Sequence, residues 1–334
     1  MRAIGYKTPL PITDDNSLVD IDLPRPAPAG RDLLVQIKAI SVNPVDVKVR
    51  ANVQPEGWRV LGWDAAGIVV EAGPEATLFK PGDEVFYAGS IIRPGSYAEF
   101  QLVDERITGH KPASLGWAEA AALPLTAITA WESLFDRLDV KRAVPGAAHA
   151  VLIIGGAGGV GSIAIQLARM AGLTVIATAS RPETNAWVRA LGADHVVDHT
   201  QPLAPQVAAL GLGAPGFVFS TTHSDHYLPE IVDLIAPQGR LALIDDLPTL
   251  DITPFKRKSV SVHWEMMFTR SMFGTADMAE QGALLNEVAR LVDQGTLRTT
   301  LTETLGPINA ATLKRAHAFI ESGKARGKIA LEGF

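Results

Sequence analysis

A chain of 334 residues is long enough for two domains with separate cores. Hydrophobic and charged shares of 47% and 20% are those of an ordinary soluble protein, and a formal net charge of −6 argues against a nucleic-acid or anionic-membrane partner. Cysteine is absent, which excludes disulfides, thiolate catalysis and thiolate metal sites.

The opening stretch, MRAIGYKTPLPITDD, has neither the basic start nor the apolar core of a signal peptide, and glycines and polar residues break the richest apolar runs. A cytoplasmic protein is expected. Residues 1–123 read as mostly β. LLVQIKAISV (33–42), GIVVEAG (67–73), EVFYAG (84–89) and SYAEFQLV (96–103) are rich in β-branched and aromatic residues, and proline and glycine punctuate them closely. That pattern predicts a compact barrel-like domain rather than βαβ units. SLGWAEAAALPLTAITAWESLF (114–135) follows, alanine-rich and interrupted at Pro124, and reads as two consecutive helices.

From 148 the pattern becomes a regular βα alternation. Strands are expected at 150–154, 173–178, 195–197, 216–220 and 240–244, with helices such as 182–191 and 226–236 between them. Such alternation implies a parallel sheet with right-handed crossovers. The run KSVSVHWEMMF (258–268) offers a sixth strand, and a helix near 276–294 is expected to close this unit. The tail, 298–334, carries two strand-like pieces flanking a helix at 309–322, with no βα partner of its own.

The chain is organised around VLIIGGAGGVGS (151–162). A short apolar run, the spacing Gly156-x-Gly158-x-x-Gly161 and an apolar helical segment reproduce the dinucleotide fingerprint in its required context of strand, turn and helix. Gly156 is expected to permit the turn, Gly158 to let a pyrophosphate approach, and Gly161 to let the helix pack on the strand. Gly159 and Val160 open a helix whose free N–H groups suit phosphate. Roughly 20 positions further on, an NAD enzyme places an acid for the ribose 2′-hydroxyl. Here Ser180 and Arg181 stand at that strand end and the next acid is Glu183. A hydroxyl and a guanidinium suit a 2′-phosphate, which points to NADP(H). The same residues also fit a capping box, with Ser180 as the N-cap and Glu183 reaching back.

Together Ser41-x-Asn43-Pro44-Val45-Asp46, Gly62-x-Asp64-x-x-Gly67, Pro81-Gly82-Asp83-x-Val85, the helix Leu125–Trp131 and the glycine turn resemble the medium-chain dehydrogenase/reductase superfamily. The resemblance covers nearly the whole chain. It implies an α/β protein: a Rossmann doubly wound parallel sheet at 124–297, plus a GroES-like, mostly-β catalytic domain at 1–123 that 298–334 completes. Within the superfamily the chain is most similar to the zinc-independent quinone oxidoreductase branch, particularly the zinc-type alcohol dehydrogenase-like group. Zinc alcohol dehydrogenases carry a cysteine where this chain has SVNPVD, and Gly-His-Glu where it reads Gly62-Trp63-Asp64. No metal ligand is therefore expected, and the eight histidines show no ligand-like grouping.

The resemblance implies that Asn43 lines the nicotinamide side of the cleft, although a turn residue before Pro44 reads the same way. It places Thr129 near the nicotinamide ribose, Thr221 and Thr222 at the cofactor, and Lys328 near its phosphates. A helix threonine bonded to a backbone carbonyl is the plain alternative for Thr129, and an exposed tail lysine is the alternative for Lys328. Many relatives have Tyr where Lys48 stands; Lys48 is either a proton donor or a solvated lysine. Trp63 and residues 263–268 offer an apolar wall for a planar substrate, or else core packing.

The expected activity is hydride transfer from NADPH to a quinone or enone without zinc. Two alternatives stay open: an NADP-dependent alcohol or carbonyl dehydrogenase using Lys48 as acid, and a non-catalytic NADPH-binding sensor. A homodimer paired through residues 258–268 is also implied.

Overall fold

The computed structural model describes residues 1–334. The chain divides into two compact units, Met1–Ile128 with Phe268–Phe334, and Thr129–Met267.

The second unit is built on a six-stranded parallel sheet. Its spatial order is His195–Val197, Thr174–Thr178, Ala148–Ile154, Pro215–Ser220, Arg240–Leu243, Ser261–Trp264. The chain starts in the middle, winds outward through two strands, then returns to wind outward the other way. This is the doubly wound Rossmann arrangement, with its topological switch between Ala148–Ile154 and Pro215–Ser220. Val151 to Ile154 are buried, as a strand covered on both faces must be. The strand at 195–197 and the helix Pro182–Leu191 have the bounds expected from sequence.

The sixth strand is shorter than expected. Only Ser261–Trp264 pair, because Thr253–Lys258 close into a 3₁₀ helix and Ser259 turns left-handed at φ 50°. Glu265 still bonds Leu243 through its N–H, but its side chain turns to Arg137.

In the first unit the strand Asp32–Ser41 is central. It pairs antiparallel with Ala65–Ala72, with Phe100–Asp104 and with the tail strand Lys328–Glu332, where Ala330 stands opposite Ser41. The tail therefore completes the sheet of the N-terminal domain. A second sheet of three strands holds Arg2–Tyr6 between Val19–Asp22 and Arg59–Val60. The segment broken at Pro124 forms two helices, Trp117–Ala121 and Pro124–Trp131, and the second continues into a π-helical stretch over Glu132–Arg137.

The helix expected to close the nucleotide-binding unit belongs to the first unit instead. Glu280–Asp293 lies on Thr108–His110, where two glycines allow the approach: a Cβ on Gly109 would stand 2.6 Å from Leu285 Cβ, and one on Gly282 would stand 2.6 Å from the Arg106 carbonyl. Asn286 Oδ1 accepts from His110 N–H, and Asp293 accepts from the N–H groups of Ala113 and Ser114. No helix is long and apolar enough to cross a membrane.

Candidate active site

The glycine turn lies at the carboxyl end of Ala148–Ile154, at the topological switch. Its left-handed residue is Gly155, at φ 80°, rather than Gly156 as the spacing suggested. A Cβ on Gly155 would stand 2.3 Å from Thr221 Oγ1, so glycine is required there twice over. Gly161 lies against the turn itself: a Cβ would stand 2.3 Å from the Gly155 carbonyl and 2.8 Å from Gly156 Cα. Gly158 caps the helix Gly159–Met170, and a Cβ on it would meet only the Gly155 carbonyl, at 3.4 Å. The protein itself leaves Gly158 open, as a cradle for phosphate should. The N–H groups of Gly159, Val160 and Gly161 open this helix, where the ladder supplies no partners.

Two threonines brace the turn. Thr178 Oγ1 accepts from Gly155 N–H at 3.0 Å, and Thr221 donates to the Ile154 carbonyl through its hydroxyl at 2.8 Å. Thr222 lies beside it, with Oγ1 2.7 Å from His223 Nδ1. Thr129 is buried in its helix, while Thr126 one turn earlier donates to the Leu123 carbonyl.

Ser180 and Arg181 follow the strand Thr174–Thr178, with a corrected cap. Pro182 takes the first helical position, so the N-cap is Arg181 and the capping partner is Thr184, whose Oγ1 accepts from Arg181 N–H at 3.2 Å. This leaves Ser180 outside the helix, its Oγ 3.2 Å from His199 Nε2. Glu183 pairs with Arg181 Nε at 3.1 Å instead of capping.

The first unit holds a buried polar cluster around Asn43. Asn43 is the N-cap of the helix Pro44–Asn52, and Asp46 Oδ2 accepts from its N–H at 2.6 Å. Its side chain is held at both ends: Oδ1 accepts from Lys328 Nζ at 2.5 Å, and Nδ2 donates to Asp64 Oδ2 at 2.8 Å. Lys328 also donates to the Val42 carbonyl and to Asp64 Oδ2, each at 3.0 Å. All three ammonium protons are thus engaged, and Lys328 is only 4% exposed. The expectation that it meets the cofactor phosphates is corrected: no donor remains for one. Asp64 is fully buried and further accepts from Leu125 N–H at 2.8 Å. Burial pushes its carboxyl up, with the Lys328 charge pulling it back. Burial likewise pushes the Asp46 carboxyl up to about 7, against the Asn43 N–H and the Lys328 charge.

Trp63, expected as a substrate wall, is core: its ring packs edge-on to Phe268 at 5.9 Å and its N–H donates to the Ser90 carbonyl. Lys48 is exposed on its helix. No three His, Asp or Glu side chains come together as a metal-binding group.

Comparison with known proteins supports the fold and assigns the family. Family models match residues 29–124, as alcohol dehydrogenase GroES-like domain, and residues 191–331, as zinc-binding dehydrogenase. The chain is 38% identical over 333 residues to a zinc-type alcohol dehydrogenase-like protein of Staphylococcus aureus, covering 99% of both. The chain is a medium-chain dehydrogenase/reductase. Among solved members of the superfamily it is 70% identical to a candidate zinc-dependent alcohol dehydrogenase from Rhizobium etli CFN 42, at a TM-score of 0.99 over 100% of this chain and 98% of that one. It is 27% identical to the quinone oxidoreductase from Coxiella burnetii, at a TM-score of 0.81 over 100% and 99%. This medium-chain dehydrogenase/reductase is thus an oxidoreductase. Sequence reasoning missed Thr178, and it saw Asp64 only as a motif position and His199 only as one of the histidines without a ligand-like grouping. An acid two residues after Gly62 was visible as a motif position, but nothing local tied it to a lysine 264 positions away.

Proposed function

We propose that the protein is an NADPH-dependent reductase that passes hydride to a conjugated acceptor, a quinone or an enone, without a catalytic zinc. The Lys328 ammonium carries the reading. Where zinc alcohol dehydrogenases place a cysteine and a histidine, this chain has Asn43, whose amide is bonded to Lys328 and Asp64, and Trp63, whose indole nitrogen only donates. A catalytic zinc takes about three ligands from His, Cys or carboxylate side chains. Here the one carboxylate of the set, Asp64, is already paired with an ammonium at 3.0 Å. Zinc does not fit these donors, although the names of close relatives and one family description carry it.

Ser180 and Arg181, with no acid but one already paired to that arginine, support NADPH over NADH. The open face at Gly158 and the helix start at Gly159 would hold the pyrophosphate. The cofactor supplies a hydride when bound. The chain's residues position it and exclude water, which is where catalysis of this kind draws its rate. An acceptor that delocalises the incoming charge suits a site without a Lewis acid. The exposed position of Lys48 supports proton delivery from water.

The test is oxidation of NADPH and NADH by chelator-treated protein with a panel of small quinones and enones. Turnover that favours NADPH and ignores added zinc is expected. Activity that returns only with zinc overturns the reading.

A further inference from the structure

We propose that His199 is the third member of the adenosine 2′-phosphate site, beside Ser180 and Arg181, and that its imidazole takes up a proton as the phosphate binds. The inference rests on the NADPH reading above and adds a pH-dependent selectivity to it.

The geometry carries it. His199 follows the short strand His195–Val197, next to the strand that delivers Ser180, and its Nε2 stands 3.2 Å from Ser180 Oγ. Nδ1 is buried with no partner, so Ser180 alone anchors the ring through its nitrogens. The Tyr227 hydroxyl donates to the His199 carbonyl at 3.4 Å and fixes the backbone. Burial holds the imidazole below its ordinary range; the Asp198 carboxylate opposes this, and the charges of Arg181 and His223 add to it. Asp198, which also accepts from the N–H and hydroxyl of Thr200, is the strongest charge acting on the ring, and burial outweighs it. Glu183 is committed to Arg181.

Without phosphate, burial therefore disfavours protonation of His199, and the neighbouring Arg181 charge adds to it. A dianionic phosphate held by Ser180 and Arg181 adds two negative charges beside the ring and offsets the cost of charging it there. One proton then moves from solvent to the imidazole on binding, with no other bond made or broken. By linkage, affinity for the phosphate weakens as pH rises between the free and bound pKa values, by at most about tenfold per unit. A phosphate monoester is mostly dianionic above about pH 6, so the ligand's own titration lies below this window.

The experiment is titration of the whole protein with NADPH, NADH and adenosine 2′,5′-bisphosphate at pH 6.5, 7.5 and 8.5, for wild type, His199→Gln and His223→Gln. The expected result is a several-fold rise in Kd per pH unit for the two 2′-phosphates, none for NADH, and loss of the slope in His199→Gln alone. Calorimetry of wild type in two buffers of different ionisation enthalpy gives the proton uptake directly, should a variant fold poorly. A slope that survives in His199→Gln, one that vanishes in His223→Gln instead, or no proton uptake in wild type overturns the proposal while leaving NADPH preference intact. Equal affinity for NADPH and NADH at all three pH values overturns the Ser180/Arg181 reading, and this inference with it.

Discussion

Lys328 Nζ stands 2.5 Å from Asn43 Oδ1 and so ties the last strand of the chain to the cap of its first helix. The same ammonium neutralises Asp64, with both side chains almost wholly withdrawn from water. Neither charge is tolerable alone. Water would solvate each in the unfolded chain, so the pair holds only because every ammonium proton and both carboxylate oxygens find partners.

Lys328→Met should therefore cost about 3–5 kcal/mol of folding free energy, the usual effect of leaving a buried charge unpaired. Asp64→Asn on top of it removes the stranded charge while keeping an acceptor for Leu125. The double variant should recover most of the loss. Denaturant unfolding of the two measures this, and a double variant no more stable than the single one would show that packing, not charge, holds the cluster.

His317 gives a pH dependence of definite sign. It is fully buried, its Nε2 lies 3.2 Å from the Tyr97 hydroxyl, and burial, helped by the Arg50 charge, lowers its pKa from 6.5 to about 3. Between those values the unfolded chain binds a proton that the folded one refuses. Stability then falls as pH drops from about 6.5 toward 3, with a slope approaching 1.4 kcal/mol per unit. His317→Gln keeps a polar partner for Tyr97 and removes the titration. Unfolding at pH 7, 6 and 5 should show the wild type losing stability faster than the variant; parallel profiles would assign the acid sensitivity to other groups.

Much of this architecture was legible because it rests on local patterns. The apolar runs from 148 to 243 mark strands, since a sheet covered on both faces admits little else, and Pro124 and Pro182 fix where helices start. What escaped depends on contacts between distant residues. The allegiance of Glu280–Asp293 turns on Gly109 and Gly282, which permit a helix to lie on Thr108–His110 and which in sequence are ordinary glycines. Lys328 reads as a phosphate-side lysine or a tail lysine until the strand pairing of Ala330 with Ser41 brings it beside Asn43. The Ser180–His199 pair depends on the parallel register that sets Ala177 beside Val196.

The glycine turn separates binding from folding. Gly158→Ala adds a methyl that meets only the Gly155 carbonyl at 3.4 Å, so thermal stability should change little. NADPH affinity should still fall tenfold or more, because the methyl projects where the proposed pyrophosphate would lie. Gly161→Ala drives a methyl to 2.3 Å from the same carbonyl and should cost about 1–3 kcal/mol through forced backbone movement. Melting curves with and without NADPH distinguish them. A Gly158→Ala protein that binds NADPH normally would place the pyrophosphate elsewhere.

The edge strand Ser261–Trp264 pairs only with Arg240–Leu243, and Trp264 is half exposed on it. Pairing with a second copy is the proposed use of that edge. Ser261 N–H bonds inward to the Gly239 carbonyl and Glu265 N–H to that of Leu243. Bonds alternate along a strand, so the N–H groups of Val262 and Trp264 point outward, away from the sheet. Val262→Pro deletes an outward donor and leaves the inward ladder whole, which is the position where an edge strand tolerates proline. Light scattering should then report a dimer for wild type and a folded monomer for the variant. A variant that remains dimeric would move the interface to another surface, and a monomeric wild type would remove the dimer altogether.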